Sequence, residues 1–263
     1  MDIFNHNREA WNRESREGSE WCIPVDDTVI AAAQSGLWSV VLTPKKPVPR
    51  EWFGDVRGKR LLCLASGGGQ QAPVLAAAGA HVTSFDLSEE QLRKDREVAD
   101  RNGLSLECVQ GNMTDLSMFS AESFDLVFHP VSNVFVPDVS PVWRECCRVL
   151  RPGGTLLAGF TNPSLFLFDH EEAEQTGALV VRHALPYREP ESLEPAAQAR
   201  WRQSGRAAEF SHSLETQIGG QIAEGFVITG LYEDGWSDEA TAFNRFSPLA
   251  IATRAFKPGS LLA

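Results

Sequence analysis

From Arg60 onward the chain alternates short apolar runs with longer amphipathic stretches, and that alternation predicts a parallel α/β sheet. The runs with strand character are 60–65, 81–86, 106–110, 123–128, 155–160, 226–233 and 247–256. Helices are expected over 72–78, 88–101, from Ser140 to the stop at Pro152-Gly153-Gly154, and over 214–224. Ser88 to Gln91 has the form of a capping box, which opens the second of these helices.

Two segments do not follow the alternation. The first 57 residues contain a predicted helix within 26–34 and an extended, proline-punctuated connector over 45–49. This segment also carries four tryptophans, Trp11, Trp21, Trp38 and Trp52. They either pack the segment onto the domain, which is the commoner role of aromatic residues, or form a lid over a pocket. Residues 162–211 have no clear period and are expected to be an insertion over the functional edge of the sheet.

Three successive glycines, Gly67 to Gly69, join the first strand to the first helix. Glycines at such a junction let the backbone approach a ligand, with the N–H groups of the helix directed at its polar atoms. The next strand ends in Asp86, about where a nucleotide-binding βαβ unit keeps its ribose-binding acid. A tight turn and an acid that merely flanks a helix are the structural alternatives.

Composition narrows the class of function. The chain has 263 residues, enough for one substantial domain, and its net charge of −11 argues against a nucleic-acid partner. Five scattered cysteines without a CxxC pair indicate free thiols in a reducing cytoplasm. There is no apolar run of membrane-spanning length, so no membrane partner is expected, and the histidines lack the spacing of metal ligands. A small-molecule substrate is the default expectation.

Five blocks in order resemble the class I S-adenosylmethionine-dependent methyltransferases, in particular their small-molecule branch with a methyltransferase type 11-like domain. They are the turn at 67–69, Asp86, the segment 110–116, the run 129–133 after the fourth strand, and the block 148–154. The resemblance implies a Rossmann-like fold, with a seven-stranded, mostly parallel sheet, helices on both faces, and a last strand inserted antiparallel between the fifth and sixth. Together with the two segments outside the alternation, it divides the chain into an N-terminal segment (1–57), which is longer than the family's core fold requires, a cofactor-binding core (58–161), an insertion over the substrate pocket (162–211) and a C-terminal part that completes the sheet (212–263).

The resemblance also implies site residues. The cofactor-binding set is Ala65, Ser66, Gly67, Gly69, Gln70, Asp86, Leu87, Gln91, Asn112, Met113, His129 and Pro130. In this set Asp86 would accept hydrogen bonds from the ribose hydroxyls, and Asn112 and Met113 would flank the adenine. His129 would face the transferable methyl group and is the candidate general base, with a hydrogen-bonded structural role as the alternative.

One departure from the family concerns the turn. The family often has an acid two residues before the first glycine of the turn, whereas this chain has Cys63 there and Ala65 in place of that glycine. Cys63 cannot orient the turn as a carboxylate would.

The function predicted from the sequence is methyl transfer from S-adenosylmethionine, with S-adenosylhomocysteine as product, to a small-molecule acceptor by in-line displacement. A non-catalytic S-adenosylmethionine-binding protein and a nicotinamide-dependent oxidoreductase stay open, since both share the glycine turn and the acid.

Overall fold

Seven strands form one sheet in the computed structural model, which describes residues 1–236 and 241–259. They are β1 (Arg60–Leu64), β2 (His81–Asp86), β3 (Leu106–Gln110), β4 (Phe124–His129), β5 (Leu150–Thr161), β6 (Val227–Asp234) and β7 (Ala250–Phe256). Their order is β3-β2-β1-β4-β5-β7-β6, and β7 runs antiparallel to both of its neighbours while the other pairs are parallel. This topology confirms the predicted fold class.

Helices cover the sheet and its carboxyl edge. The α-helices are α1 (Ile3–Glu17), α2 (Asp27–Gln34), α3 (Gln71–Ala77), α4 (Glu89–Asn102), α5 (Ser140–Val149), α6 (His170–Thr176), α7 (Pro195–Ser204) and α8 (Gly220–Ala223). A π-helical segment, Glu215–Gly219, leads directly into α8. No helix within the two described ranges is both long and apolar enough to cross a membrane.

The two faces of the sheet bury separate cores. Leu61 and Cys63 of β1 face a cluster that includes α2, α3 and the segment from Val40 to Val56. Leu62 and Leu64, on the opposite face, belong to the cluster of α5. Because successive side chains of a strand point to opposite faces, a central strand covered on both sides must be apolar throughout, as β1 is.

Helix α1 was not predicted as an element. Asp2 caps it by accepting the N–H of Asn5 at 3.1 Å, and Gly18 ends it in the left-handed region at φ +78°. Its buried side includes Asn7 and Asn12 in place of large apolar side chains. A periodic pattern of apolar residues therefore does not mark this helix, because polar side chains on its buried face hold it through hydrogen bonds.

Two boundaries also differ from the prediction. Strand β5 begins at Leu150, so Pro152-Gly153-Gly154 lies inside the strand instead of ending α5. The reason is that Gly153 donates its N–H to Lys257 O at 2.8 Å, and Gly154 O accepts the N–H of Lys257 at 2.9 Å. The helix predicted over 214–224 is π-helical in its first half.

Candidate functional site

A cavity of about 540 Å³ lies at the carboxyl ends of the parallel strands. This is where open α/β sheets bind ligands, at the change in strand order between β1 and β4. Its walls come from the turn after β1, the ends of β2 and β4, helix α1, and the insertion 162–211. The volume is within the range of small-molecule sites.

Most of the predicted site residues border this cavity. They are Ala65, Ser66, Gly67, Gln70, Asp86, Leu87, Gln91, Asn112, Met113 and Pro130. The two predicted residues that do not border it are Gly69 and His129. Four of the five sequence blocks, although spread over some 65 positions of the chain, thus meet around one space, whereas the block 148–154 does not border it.

Asp86 ends β2 and is held by the backbone of the turns on either side. Its Oδ2 accepts the N–H of Gly67 at 3.0 Å, and its Oδ1 accepts the N–H of Ser88 at 2.9 Å. The pKa of the Asp86 carboxyl is raised above its ordinary value, because burial outweighs these hydrogen bonds. Oxygens held in this way keep further lone pairs for the hydroxyl groups of a ligand.

The three glycines of the turn are required by close approaches within the protein. A Cβ on Gly67 would lie 2.7 Å from Gln91 Cβ, and one on Gly69 would lie 2.8 Å from Pro24 Cβ. Gly68 has φ +118°, and its Cβ would lie 2.8 Å from Gln91 Oε1 and 3.1 Å from Trp21 O. Residues 21–24, which follow α1 in the chain, therefore pack directly against this turn.

An acid from another element, Asp95 of α4, holds the turn. Asp95 of α4 is fully buried, and its carboxylate accepts the N–H of Gly69 and the hydroxyl of Ser84, each at 2.6 Å. Burial, assisted by the charge of Asp86, raises the pKa of Asp95 to about 7. Cys63 is also fully buried, so burial raises the pKa of its thiol well above the ordinary value.

Two buried polar atoms at the cavity have no hydrogen-bond partner within the described part of the chain. They are Ser66 Oγ and Gln91 Oε1. The amide nitrogen of Gln91 contacts Cys22 Sγ at 3.1 Å, which fixes the amide oxygen beside the turn. Unpartnered buried polar atoms are costly unless a ligand or water satisfies them, so the site suits a polar ligand.

The structure corrects the prediction for His129. Its side chain is fully buried, does not border the cavity, and lies edge-on to Trp143 with ring centroids 6.0 Å apart. Nδ1 lies 3.0 Å from Leu64 O, so this nitrogen carries the proton and donates it. Burial lowers the pKa of His129 to about 4. In this position His129 does not face the cavity, and we expect the structural role for it.

Of the four tryptophans of the N-terminal segment, two border the cavity and two pack against other aromatic residues away from it. Trp11 and Trp21 border the cavity, and Trp21 lies edge-on to Trp236 at 4.8 Å. Trp38 packs on Phe53 and Trp52 packs against Tyr232 in the core.

Three candidate functional residues were not predicted from the sequence, namely Asn7, Asp95 and Glu209. Asn7 and Glu209 border the cavity from α1 and from the insertion, where no periodic pattern marks them. Asp95 did leave a signal, since it lies on the same helical face as Leu92 and Val98, where an acid is out of place. Among the described residues, no cluster of three or more His, Cys, Asp or Glu side chains has a geometry suited to a metal ion.

Comparison with known proteins places this site in a family. The methyltransferase domain family matches residues 62–158, from β1 through most of β5. A methyltransferase of Bacillus subtilis (strain 168), YbaJ, is 52% identical over 232 residues, which cover 88% of this chain and 91% of that protein. The ubiquinone biosynthesis O-methyltransferase of Bordetella avium (strain 197N) is 31% identical over 147 residues, 54% of this chain and 61% of that enzyme.

A solved structure shares the fold. The S-adenosylmethionine-dependent methyltransferase of Mesorhizobium loti superposes with a TM-score of 0.56 at 19% identity, over 79% of this chain and 94% of that one. The match to YbaJ extends along nearly all of both chains, and it favours a methyltransferase over an oxidoreductase. The chain belongs to the class I S-adenosylmethionine-dependent methyltransferase family, and S-adenosylmethionine is its cofactor.

Proposed function

We propose that this enzyme transfers a methyl group to a small-molecule acceptor by in-line displacement within the cavity. The observation that carries the proposal is that one cavity extends from the turn after β1 and Asp86 to side chains of α1 and the insertion. When bound, S-adenosylmethionine supplies a methyl group on a sulfonium sulfur, which is already a good leaving group. The work left to the protein is to align the acceptor and to exclude water.

The residues around the turn fit the cofactor chemically. Asp86 offers carboxylate oxygens to the two ribose hydroxyls, in agreement with its acceptor-only chemistry. Asn112 and Met113 offer an amide and an apolar side chain to the adenine. The unpartnered Ser66 Oγ and Gln91 Oε1 offer two further polar contacts near the methionyl part.

The other half of the cavity suits an acceptor. Phe4 and Trp11 of α1 and Leu165 and Phe166 of the insertion line it with apolar surface, which keeps water from the reacting atoms. Holding two reactants in line contributes roughly 7–11 kcal/mol to lowering a barrier. In this proposal 1–57 and 162–211 cover the site, while 58–161 and 212–263 build the sheet beneath it.

Calorimetric titration with S-adenosylhomocysteine and S-adenosylmethionine tests the site. We expect the wild type to bind both, and Asp86→Asn to bind at least ~10-fold more weakly, because a charge-assisted hydrogen bond is lost. Asp55→Asn is the matched control, since Asp55 is exposed and pairs with Arg57 outside the cavity. Equal affinities of the two variants, or a folded wild type that binds neither compound, would contradict the assignment.

A further inference from the structure

The carboxylate of Glu209 is available for a ligand in the cavity. Glu209 borders the cavity, and its backbone N–H donates to Glu189 Oε2 at 3.1 Å. Its own carboxylate accepts no hydrogen bond from any residue in the described ranges. A carboxylate that is partly buried and lacks a partner is an open acceptor for the N–H or O–H of a bound molecule.

The position of this carboxylate is fixed by the residues on either side of it. Ala208 donates its N–H to Asn7 Oδ1 at 2.7 Å, and its carbonyl accepts from Asn7 Nδ2 at 3.1 Å. Phe210 donates its N–H to Val134 O at 2.7 Å. Glu209 is therefore anchored both to α1 and to the segment after β4, as a preorganised site requires.

The neighbouring cation is already engaged. Arg206 pairs with Glu189 through two hydrogen bonds, one of them 2.9 Å from Nη1 to Oε2, and Tyr187 donates its hydroxyl to Glu189 at 2.7 Å. His170 is a further titratable side chain, and the charges of Arg206 and Glu189 both act on its pKa. Burial and the charge of Glu189 outweigh Arg206 and raise the pKa of Glu209 to about 7.

The charges around the cavity have one sign. The ionisable side chains that border it, among the residues described, are Glu20, Asp86 and Glu209, and no Lys, Arg or His is among them. Aromatic residues line the same cavity as Glu209, among them Phe4, Trp11, Phe135 and Phe166. An anionic acceptor would meet only like charges, whereas a cation is attracted both to carboxylates and to the faces of aromatic rings.

We propose that the acceptor is an amine on an apolar body, and that Glu209 binds its ammonium group and serves as the general base. This inference rests on the function proposed above and adds the class of acceptor and the residue that receives it. The carboxylate accepts a proton from the ammonium group, which leaves the nitrogen lone pair free. The nitrogen then forms a bond to the methyl carbon, and the bond from that carbon to sulfur breaks with its electron pair left on sulfur. The proton on Glu209 passes to solvent as product leaves.

The binding test uses three probes with one body and different head groups, namely phenethylamine, 2-phenylethanol and phenylacetate. Each is titrated into the full chain saturated with S-adenosylhomocysteine. We expect phenethylamine to bind about 10- to 100-fold more tightly than phenylacetate, and Glu209→Gln to remove that preference. Phenylacetate or 2-phenylethanol binding as tightly as the amine, or no binding of the amine, would overturn the proposal.

Glu191→Gln is the matched control, because Glu191 is an exposed glutamate of the same insertion that does not border the cavity. Both variants should bind S-adenosylhomocysteine like the wild type. This cofactor titration distinguishes a failure of the proposed function from a failure of the proposal that the acceptor is an amine. If S-adenosylhomocysteine fails to bind to the wild type, the proposed function fails; if it binds and the amine preference is absent, only the present inference fails.

The base itself is tested by the pH profile. With phenethylamine as acceptor, kcat/KM of the wild type should rise with pH through about 7, as the Glu209 carboxyl loses its proton. In Glu209→Gln this rise of kcat/KM with pH should disappear, and the rate at pH 8 should fall about 10²- to 10⁴-fold. The same rise in the variant, or bound phenethylamine that is never methylated, would overturn the assignment of a base.

Discussion

The Oδ1 atom of Asp95 accepts the N–H of Gly69 at 2.6 Å, and this hydrogen bond ties α4 to the turn after β1. The other oxygen of Asp95 accepts the hydroxyl of Ser84, so the carboxylate also joins the turn to β2. The turn is thereby held by a carboxylate that comes from α4, and not from the position of Cys63 in β1. Cofactor affinity should consequently depend on a residue that does not border the cavity.

We expect Asp95→Ala to weaken both stability and cofactor binding. The substitution leaves the Gly69 N–H and the Ser84 hydroxyl without partners in a buried place, at about 1–3 kcal/mol each. Urea unfolding and titration with S-adenosylhomocysteine measure the two effects. Asp100→Ala removes an exposed carboxylate from the same helix and should change neither quantity, and a similar loss in both variants would exclude the specific role of Asp95.

Stability should fall as the pH rises from 5 to 8. The folded-state pKa of Asp95 and that of Glu209 are both about 7, above the ordinary range near 4 for these carboxyls. The stabilisation from a raised pKa is complete below the unfolded pKa and is lost as the pH passes through the folded pKa. Since one pKa unit corresponds to about 1.4 kcal/mol, and about two units of the interval between the unfolded and folded pKa lie above pH 5, Asp95 alone should account for a loss of up to about 3 kcal/mol over this range. Urea unfolding at several pH values checks this: the fall should be reduced in Asp95→Asn and unchanged in Asp100→Asn.

Gly68→Ala should disrupt the turn more than its backbone conformation alone explains. Gly68 combines a positive φ with a Cβ position only 2.8 Å from Gln91 Oε1, whereas Gly18 has φ +78° and open space around its Cβ position. Gly18→Ala should therefore cost about 1–2 kcal/mol, the strain of the left-handed region. Gly68→Ala should cost more and also reduce cofactor affinity. Thermal unfolding of both variants beside the wild type measures the difference, and equal costs would show that the contact with Gln91 is unimportant.

Trp21→Ala should weaken cofactor binding without unfolding the protein. The side chain is 41% exposed, borders the cavity and lies against Trp236, so its removal opens the cavity while leaving the core intact. We expect about a 10-fold loss of affinity for S-adenosylhomocysteine at an unchanged melting temperature. Trp52→Ala is the opposite case, because Trp52 is buried and its loss should cost about 3–5 kcal/mol of stability. Unchanged affinity in a folded Trp21→Ala protein would remove the lid hypothesis.

The sheet and the part of the cavity around the glycine turn and Asp86 were predictable because their signals are local. The strands of 81–86 and 106–110 have the predicted bounds, and each ends in a polar residue, Asp86 or Gln110. Asp86 and the glycine turn were located by their spacing from those strands. This part of the fold depends on periodicity, which a single sequence displays.

The part of the cavity formed by α1 and the insertion was not predictable because its contacts are long-range. Asn7 and Glu209 come from segments without a period, and nothing in the sequence shows that they face one cavity. His129 was placed at the correct strand end, but the direction of its side chain depends on the carbonyl of Leu64 in a neighbouring strand. Side-chain direction at the end of a strand is decided by tertiary packing, which the local sequence does not encode.

The hydrogen bonds between Asn7 and Ala208 join residues 201 positions apart. During synthesis the first helix therefore leaves the ribosome long before its partner is made, and most of the chain must be translated before the two can meet. The closure of so long a loop costs entropy that only late contacts compensate. A nascent chain halted before position 208 would possess the glycine turn and Asp86 and yet lack the residues of the insertion that cover the cavity, so the ability to methylate should arise only after that position has been translated.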